Sequence, residues 1–355
     1  MRSGIDGFAD DLTQLARYME SRVPAYQQLL ELVARSLDGD VGRRLDKAWA
    51  RRSFGAFYDR PLLLCATLRF DALSEGPTHP LWAAIAADPP DPSAIDATAL
   101  SAALGRERER ALVWHSLTRR SVQTNEVSRA VAWMWPAAVL APPGAPLGLL
   151  DLGASAGLNL VADALDLAWT AGGVPLAVGA AGAIRQRRGF DRAPLDVTRD
   201  EDAAWLRACI WPGERERLER LERAIAAFRA ASPAPLLETV EASDIPMRLG
   251  ALTTGPEFWL GYQTVVREYL GDSRDAYLSG MREWLAAAPR GTALWIELEA
   301  PAQGATRERP AALIGHARGA GGAVIDAVLA RCEYHPTDLA LEADGIAAIR
   351  SALAG

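Results

Sequence analysis

The run Leu147-Gly-Leu-Leu-Asp-Leu-Gly-Ala-Ser-Ala-Gly-Leu-Asn-Leu160 gathers the residues best suited to chemistry. An apolar, strand-like stretch ends on Asp151, turns through Gly153, Ala154, Ser155 and Gly157, and continues past Asn159 as a helix-like segment. Strand, small-residue turn and helix together bring backbone N–H groups against a nucleotide-like ligand. Glycine permits the close approach, because a Cβ there would clash. The same letters spell Gly-x-Ser-x-Gly, a bent turn that presents Ser155 as a nucleophile. That chemistry needs a downstream histidine and acid, and His316 or His335 with Asp272, Asp275 or Asp326 could supply them. A tight turn that binds nothing is the third possibility.

An acid at the strand's end followed by Gly-x-x-x-Gly looks more like the S-adenosylmethionine loop of class I methyltransferases than a dinucleotide site. Ser155 stands where the usual loop has its middle glycine. Such a site places a carboxylate after the second strand to take the ribose hydroxyls. Asp191, in Gly189-Phe-Asp-Arg-Ala-Pro194, is the candidate and Asp196 the fallback, and either could instead cap a helix. Asp191 comes later than the usual spacing of ~20 residues, so a hairpin insertion is expected before it. Glu241-Ala242, ahead of Ile245-Pro246, resembles the acid-Ala-x-x-Leu-Pro pattern at an adenine pocket, although Glu241 could equally be a surface acid.

A second polar cluster precedes the turn: Gln123-Thr-Asn125-Glu126-Val-Ser-Arg129. On a helix, Val127, Val131 and Met134 form an apolar stripe, with Asn125, Glu126 and Arg129 on another face. These are either a solvated face with an ordinary Glu126–Arg129 pair worth about 0.2–0.5 kcal/mol, or a polar lid over cofactor and substrate.

Half of the 355 residues are hydrophobic, enough for a large core and for two domains. The net charge of −7 argues against a surface that neutralises nucleic acid. Lys47 is the only lysine and follows no glycine-rich turn, which argues against Schiff-base and P-loop chemistry. Cys65, Cys209 and Cys332 are scattered and odd in number, so they read as buried thiols. The four histidines show no H-x-x-x-H pair, and nothing points to a metal. Ala130 to Leu150 carries no charge, but Pro136, Pro142, Pro143 and Pro146 break it as a membrane span. The Met1-Arg-Ser-Gly-Ile-Asp start lacks the apolar core of a signal peptide. A cytoplasmic protein with no membrane or nucleic-acid partner is expected.

These residues must be positioned by elements. Helical spacing is expected from about Phe8 to Ala138, including Ala48 to Phe57 and Pro61 to Leu73. Alternating strands and helices follow: a hairpin from Val174 to Val178 with Ala183 to Gln186, helices at 201–206 and 214–230, and strands at 236–240, 258–262 and 293–298. A late hairpin at 311–317 and 323–330 completes the pattern. The expected fold class is therefore α/β, a mainly parallel sheet with helices on both faces. An all-helical N-terminal domain (1–145) precedes a Rossmann-like, class I methyltransferase-type domain (146–355) with an insertion around 170–230.

Several motifs are longer and more specific. Arg60-Pro-Leu-Leu-Leu-Cys-Ala66, Gln123-Thr-Asn-Glu126 with Arg129, Leu152-Gly-Ala-Ser-Ala-Gly-Leu-Asn-Leu160, Ala193-Pro-Leu-Asp-Val-Thr198, Ala204-Trp-Leu-Arg-Ala208 and Trp211-Pro212 together resemble the bacterial family called domain of unknown function 2332. The resemblance spans nearly the whole chain, implies a class I methyltransferase-like core, and names no substrate. Where that family is expected to carry a histidine after the fourth strand, this chain has Gln263 beside Tyr262. The resulting expectation is an S-adenosylmethionine-dependent methyltransferase acting on a small molecule. The cofactor would lie over Asp151, Gly153, Ala154, Ser155, Gly157, Asn159, Asp191, Glu241 and Ala242. Glu126 or Tyr262 would stand near the acceptor, oriented by Gln123, Asn125, Arg129 and Gln263. An esterase-like hydrolase using Ser155 and a non-catalytic nucleoside-binding protein are the alternatives.

Overall fold

The computed structural model describes residues 4–105 and 110–354, so Met1–Ser3 of the N-terminal stretch lie outside it. The chain divides into two compact units, one running to Thr124 together with Arg199–Glu219, the other comprising Asn125–Thr198 and Arg220–Gly355. The division falls earlier than the expected boundary at 145, and part of the expected insertion groups with the helical unit.

The first unit is helical: α1 (Phe8–Met19), α2 (Pro24–Arg35), α3 (Asp40–Trp49), α4 (Asp59–Glu75), α5 (Trp82–Ile85), α6 (Ala97–Leu104) and α7 (Ala111–Arg119). Leu12, Leu15 and Met19 of α1, with Leu29, Leu30 and Val33 of α2, recur at helical spacing and are buried. Helix was expected to reach Phe57, but α3 stops at Trp49. The cause is Asp59, whose Oδ2 accepts the amides of Gly55 (2.9 Å) and Ala56 (2.8 Å) and bends the chain into α4. Arg60, fully buried at the start of α4, donates to Asp11 (2.5 Å) and to the carbonyls of Gly4 and Asp6 (2.9 Å each).

In the second unit, α8 (Val131–Leu140) leads into β1 (Leu147–Leu152). The strands that follow are β2 (Thr170–Ala171), β3 (Val174–Pro175), β4 (Ile184–Asp191), β5 (Leu236–Thr239), β6 (Phe258–Thr264), β7 (Ala293–Glu299), β8 (Ala311–Arg318), β9 (Val324–Cys332) and β10 (Ala340–Leu341). Eight of them form one sheet in the order β10-β9-β8-β7-β6-β1-β4-β5. The five from β7 to β5 are parallel, while β8 and β9 form the late antiparallel hairpin. Helix α9 (Asp200–Cys209), which groups with the first unit, and α10 (Arg215–Ala230), which the division splits after Glu219, precede β5 in the chain, and α11 (Ile245–Leu252), α12 (Arg274–Ala287) and α13 (Ala343–Leu353) follow it.

Both sheet faces are covered. On one, Leu147, Leu149, Leu260 and Ile296 join Trp133, Met134 and Ala137 of α8 and Ile349 of α13. On the other, Leu150, Leu152 and Trp259 join Leu249 of α11 and Tyr277, Met281 and Leu285 of α12. The expected hairpin at 174–186 is instead the small β2–β3 pair, turned by Gly172 and Gly173, both at positive φ. Ile184 begins the long strand β4. Its arginines disguise an inner strand; Arg187 is bound bidentately by Asp163 at 2.7 Å and Arg188 pairs with Glu238 at 3.2 Å.

Candidate functional site

Parallel register puts the carboxyl ends of β1, β4, β5, β6 and β7 along one edge of the sheet. The carboxyl end of β9 lies on that edge too, since β9 runs antiparallel to β8. In open α/β sheets this edge is where ligands bind. Here it is lined by acids: Asp151 ends β1, Asp191 ends β4, Glu241 follows β5, and Glu297 and Glu299 end β7.

Asp151 is buried, and its register partner on β6 is Tyr262. Burial pushes its carboxyl up to about 7; the nearby Tyr262 hydroxyl opposes that rise and the Asp191 charge adds to it. Neither Oδ2 of Asp151 nor the Tyr262 hydroxyl has a partner at good hydrogen-bonding geometry. Such orphaned buried groups are uncommon and call for an explanation.

The turn after Asp151 is held by the protein itself. Gly153 and Ala154 donate to the Phe190 carbonyl (2.8 and 3.0 Å), Ser155 to Asp191 Oδ2 (2.8 Å), Ala156 to Asn125 Oδ1 (3.1 Å) and Gly157 to the Ala154 carbonyl (2.7 Å). The expectation that these amides face a ligand is therefore corrected. Gly153, at φ 84°, owes its glycine to packing, since a Cβ would stand 2.5 Å from Val266 Cγ2. The segment beyond Gly157 is a 3₁₀ helix, Leu158–Ala164, with a non-helical Val161, rather than an α-helix. In it Asn159 lends its carbonyl to Trp133 Nε1 (2.8 Å) and buries an unpartnered Oδ1.

Asp191 is the last residue of β4, and Glu241 follows β5. Asp191 holds Ser155 with one oxygen and its own turn with the other, accepting Ala193 N at 2.9 Å. Asp196 caps Thr198 at 3.0 Å in an exposed turn. Glu241 is exposed, and Ala242 opens a short 3₁₀ turn.

The polar cluster expected on a helix is extended through Asn125 and Glu126, followed by a 3₁₀ turn at Val127–Ala130. Asn125 bridges to the glycine turn, its Nδ2 donating to Ser155 Oγ at 2.8 Å. Glu126 is buried; its Oε1 accepts Ser128 N (3.2 Å) and lies 3.7 Å from Arg220 Nε, while Oε2 lies 3.8 Å from His335 Nδ1. Arg129 Nε donates to the Tyr334 carbonyl at 3.0 Å. Gln123 groups with the helical unit. Gln263 and Tyr262 are fully buried.

Sequence reading missed a charged network around the ends of β6 and β7. Glu299 Oε1 accepts Gln263 Nε2 (3.0 Å) and the amides of Val266 (2.7 Å) and Arg267 (3.2 Å), and Tyr277 donates to Gln263 (2.6 Å). Burial raises the Glu299 pKa despite these donors. Glu297 binds Arg267 and, at 2.9 Å, His316 Nε2; Asp326 takes His316 Nδ1 at 2.7 Å. Burial alone would lower the His316 pKa, but its bonds to the two acids raise it. Both imidazole nitrogens are thus engaged by carboxylates, which removes His316 as a partner for Ser155. Its acid partners lie on β7 and β9, two strands whose pairing with β8 no spacing rule reveals.

Among the described residues, two non-glycines take positive φ: Ser155 (54°) and Val265 (58°). They follow β1 and β6, adjacent strands at the centre of this edge, and backbone strain of this kind collects at functional sites. The first unit offers one other cluster: Asp71, Glu75 and His79 hold ligand-type atoms within 4.8 Å of one another. Arg110 binds both acids, and His79 Nδ1 accepts the Leu81 amide (3.1 Å), leaving Nε2 to donate to Asp71 (3.1 Å). That set is a filled ion-pair cluster with no nitrogen lone pair left for a cation.

Among the described residues no helix is long and apolar enough to cross a membrane. No curated protein and no solved structure matches the chain. One family model does, covering residues 9–340 and described as an uncharacterized protein conserved in bacteria. With most of its length so matched, the chain belongs to the bacterial family called domain of unknown function 2332.

Proposed function

We propose that the protein is an S-adenosylmethionine-dependent methyltransferase acting on a small molecule at the carboxyl edge of the sheet. One observation carries the reading: two carboxylates, Asp151 and Asp191, converge on one strand-end turn, and the first is buried with an unpartnered oxygen. A cationic ligand group would satisfy both. The strand order gives support. Counting the parallel strands along the chain, their spatial order is 3-2-1-4-5, the doubly wound arrangement whose switch point lies between β1 and β6.

In this reading Asp151 receives the ammonium end of the cofactor. Asp191 takes the ribose hydroxyls, since each of its oxygens keeps a second lone pair beyond the amide it already accepts. Glu241 and Ala242 border the base. The bound cofactor supplies an electrophilic methyl on a sulfonium; the protein contributes in-line positioning and exclusion of water. Asn125 and Ser155 fix the turn, and Glu126 and Arg129 sit beside it.

Thermal-shift measurements with S-adenosylmethionine, S-adenosylhomocysteine and NAD test the proposal. The first two should raise the unfolding temperature, by a stabilisation of about 2.7 kcal/mol at a hundred times the dissociation constant. A rise with NAD alone, or with none of the three, would refute it. A hydrolase reading has one observation in its favour: Ser155 at φ 54° has the bent backbone of a nucleophile. Fluorophosphonate labelling lost in Ser155→Ala would support that instead.

A further inference from the structure

We propose that Glu299 binds the methyl acceptor and takes its proton, so that the acceptor is a small amine presented as its ammonium ion. The inference rests on the methyltransferase reading and gives it a substrate class.

Glu299, the last residue of β7, is 3% exposed and stands at the carboxyl edge. Among the described residues all its hydrogen bonds end on Oε1, from Gln263 Nε2 and the amides of Val266 and Arg267, and Oε2 accepts none. Nor does it form an ion pair there, because Arg267 turns its guanidinium to Glu297. A carboxamide oxygen would hold the same donors without burying a charge, so the loop alone does not call for an acid. A buried carboxylate without a cation is costly, and a cationic ligand would supply the missing charge. Burial raises the Glu299 pKa, its donors oppose the rise and the Glu297 charge adds to it. This carboxylate therefore takes up a proton more readily than an exposed one.

The surroundings tie this acid to the turn after β1, within the same unit. Val265, just before the donating amides, holds φ 58°, an outlier for a β-branched residue. Its own amide is fixed by the Leu298 carbonyl (2.9 Å), so β7 grips both sides of the bend. Val266 then packs against Gly153, its Cγ2 standing 2.5 Å from where a Cβ would be. One side chain thus separates the Glu299 loop from that turn. Tyr334, whose pKa is raised by burial and then by Glu268 and Glu299, brings an aromatic ring near both acids. An aromatic group beside carboxylates suits an organic cation. A metal ion would need more oxygen ligands, and among the described residues Glu299 belongs to no group of metal-ligand atoms.

In the step, an N–H bond of the ammonium breaks and its proton passes to Oε2, leaving the pair on nitrogen. That pair bonds the methyl carbon while the carbon–sulfur bond breaks and leaves its pair on sulfur. The product is a methylated ammonium, and Glu299 afterwards gives its proton to water. Glu299 is the catalytic residue; Gln263, itself held by Tyr277 at 2.6 Å, positions Oε1.

The test uses the intact protein. Labelled methyl from S-adenosylmethionine is supplied with the small-molecule fraction of a cell extract, either untreated or first acetylated with an N-hydroxysuccinimide ester, which blocks amines. Acetylation of the fraction should lower transfer by wild type about tenfold or more. Glu299→Gln, whose carboxamide oxygen keeps the loop's donors, should transfer about 100-fold more slowly, with its calorimetric affinity for S-adenosylhomocysteine within about twofold of wild type. An acid that only held the loop would be replaced by this variant with transfer intact. Transfer that survives acetylation, or that stays within about threefold of wild type in Glu299→Gln, overturns the inference and leaves the methyltransferase reading standing. A matching loss of S-adenosylhomocysteine affinity in the variant would mark a purely structural acid and overturn it too. No binding of that ligand by wild type, or no transfer into the untreated fraction, overturns the methyltransferase reading and the inference with it.

Discussion

At Gly153 the backbone stands at φ 84° with a Val266 methyl where a side chain would begin. Gly153→Ala should therefore cost about 2–4 kcal/mol, combining backbone strain with overpacking, visible as a lower urea midpoint. Asp151 behaves oppositely. Its folded pKa of about 7 exceeds the ordinary 3.8, so its contribution is complete below that ordinary value and is lost as pH rises through 7. Asp151→Asn should resist urea better than wild type at about pH 8 and match it near pH 4; equal midpoints at both would show that burial does not penalise this carboxylate. The letters of the turn were legible in the sequence because glycine and acid at a strand end have few explanations. What they could not tell was that Val266 and Phe190, distant in the chain, already occupy the space and the amides.

Among the elements, β7, β8 and β9 are joined by more than their ladders. His316 on β8 donates to Glu297 on β7 and to Asp326 on β9, and its ring stacks on Trp295 at 4.2 Å. The raised His316 pKa means that its stabilisation is complete below its ordinary value of 6.5 and fades as pH rises through the raised one. Asp326, drawn down to about 2 by His316 and Arg282 against the pull of burial, contributes fully above 3.8 and loses its part as pH falls toward 2. The clip is thus strongest from weakly acidic to neutral pH. His316→Asn should cost about 3 kcal/mol there by uncovering a buried carboxylate. Urea midpoints across pH would check it, and the variant should lose the His316 part of the alkaline decline while keeping that of Asp151. Most strands and helices of this unit were legible from apolar runs and turn residues. Two were not: β4 carries three arginines, two of them paired with remote acids, and Asn125–Glu126 opens a segment of helix-like composition but is drawn out by the bonds of Asn125 to the glycine turn.

For the molecule as a whole, the division after Thr124 means that α8 belongs with the sheet, its Trp133 and Met134 lying in the core beside Leu149 and Leu260. A fragment starting at Pro146 should therefore lack a native near-UV circular dichroism signal, whereas one starting at Asn125 should retain more of it. A proline-rich connector suggested the later boundary, because a sequence shows where a chain is stiff but not which core a neighbouring helix joins. The central claim concerns what the acid-lined edge binds, and calorimetric titration of S-adenosylmethionine into wild type and Asp151→Asn at neutral pH tests it most directly. The account predicts saturable, one-site binding by wild type, weakened about tenfold or more in the variant through loss of a charge-assisted contact. No heat of binding to folded wild type, or equal affinity in the two proteins, would contradict it.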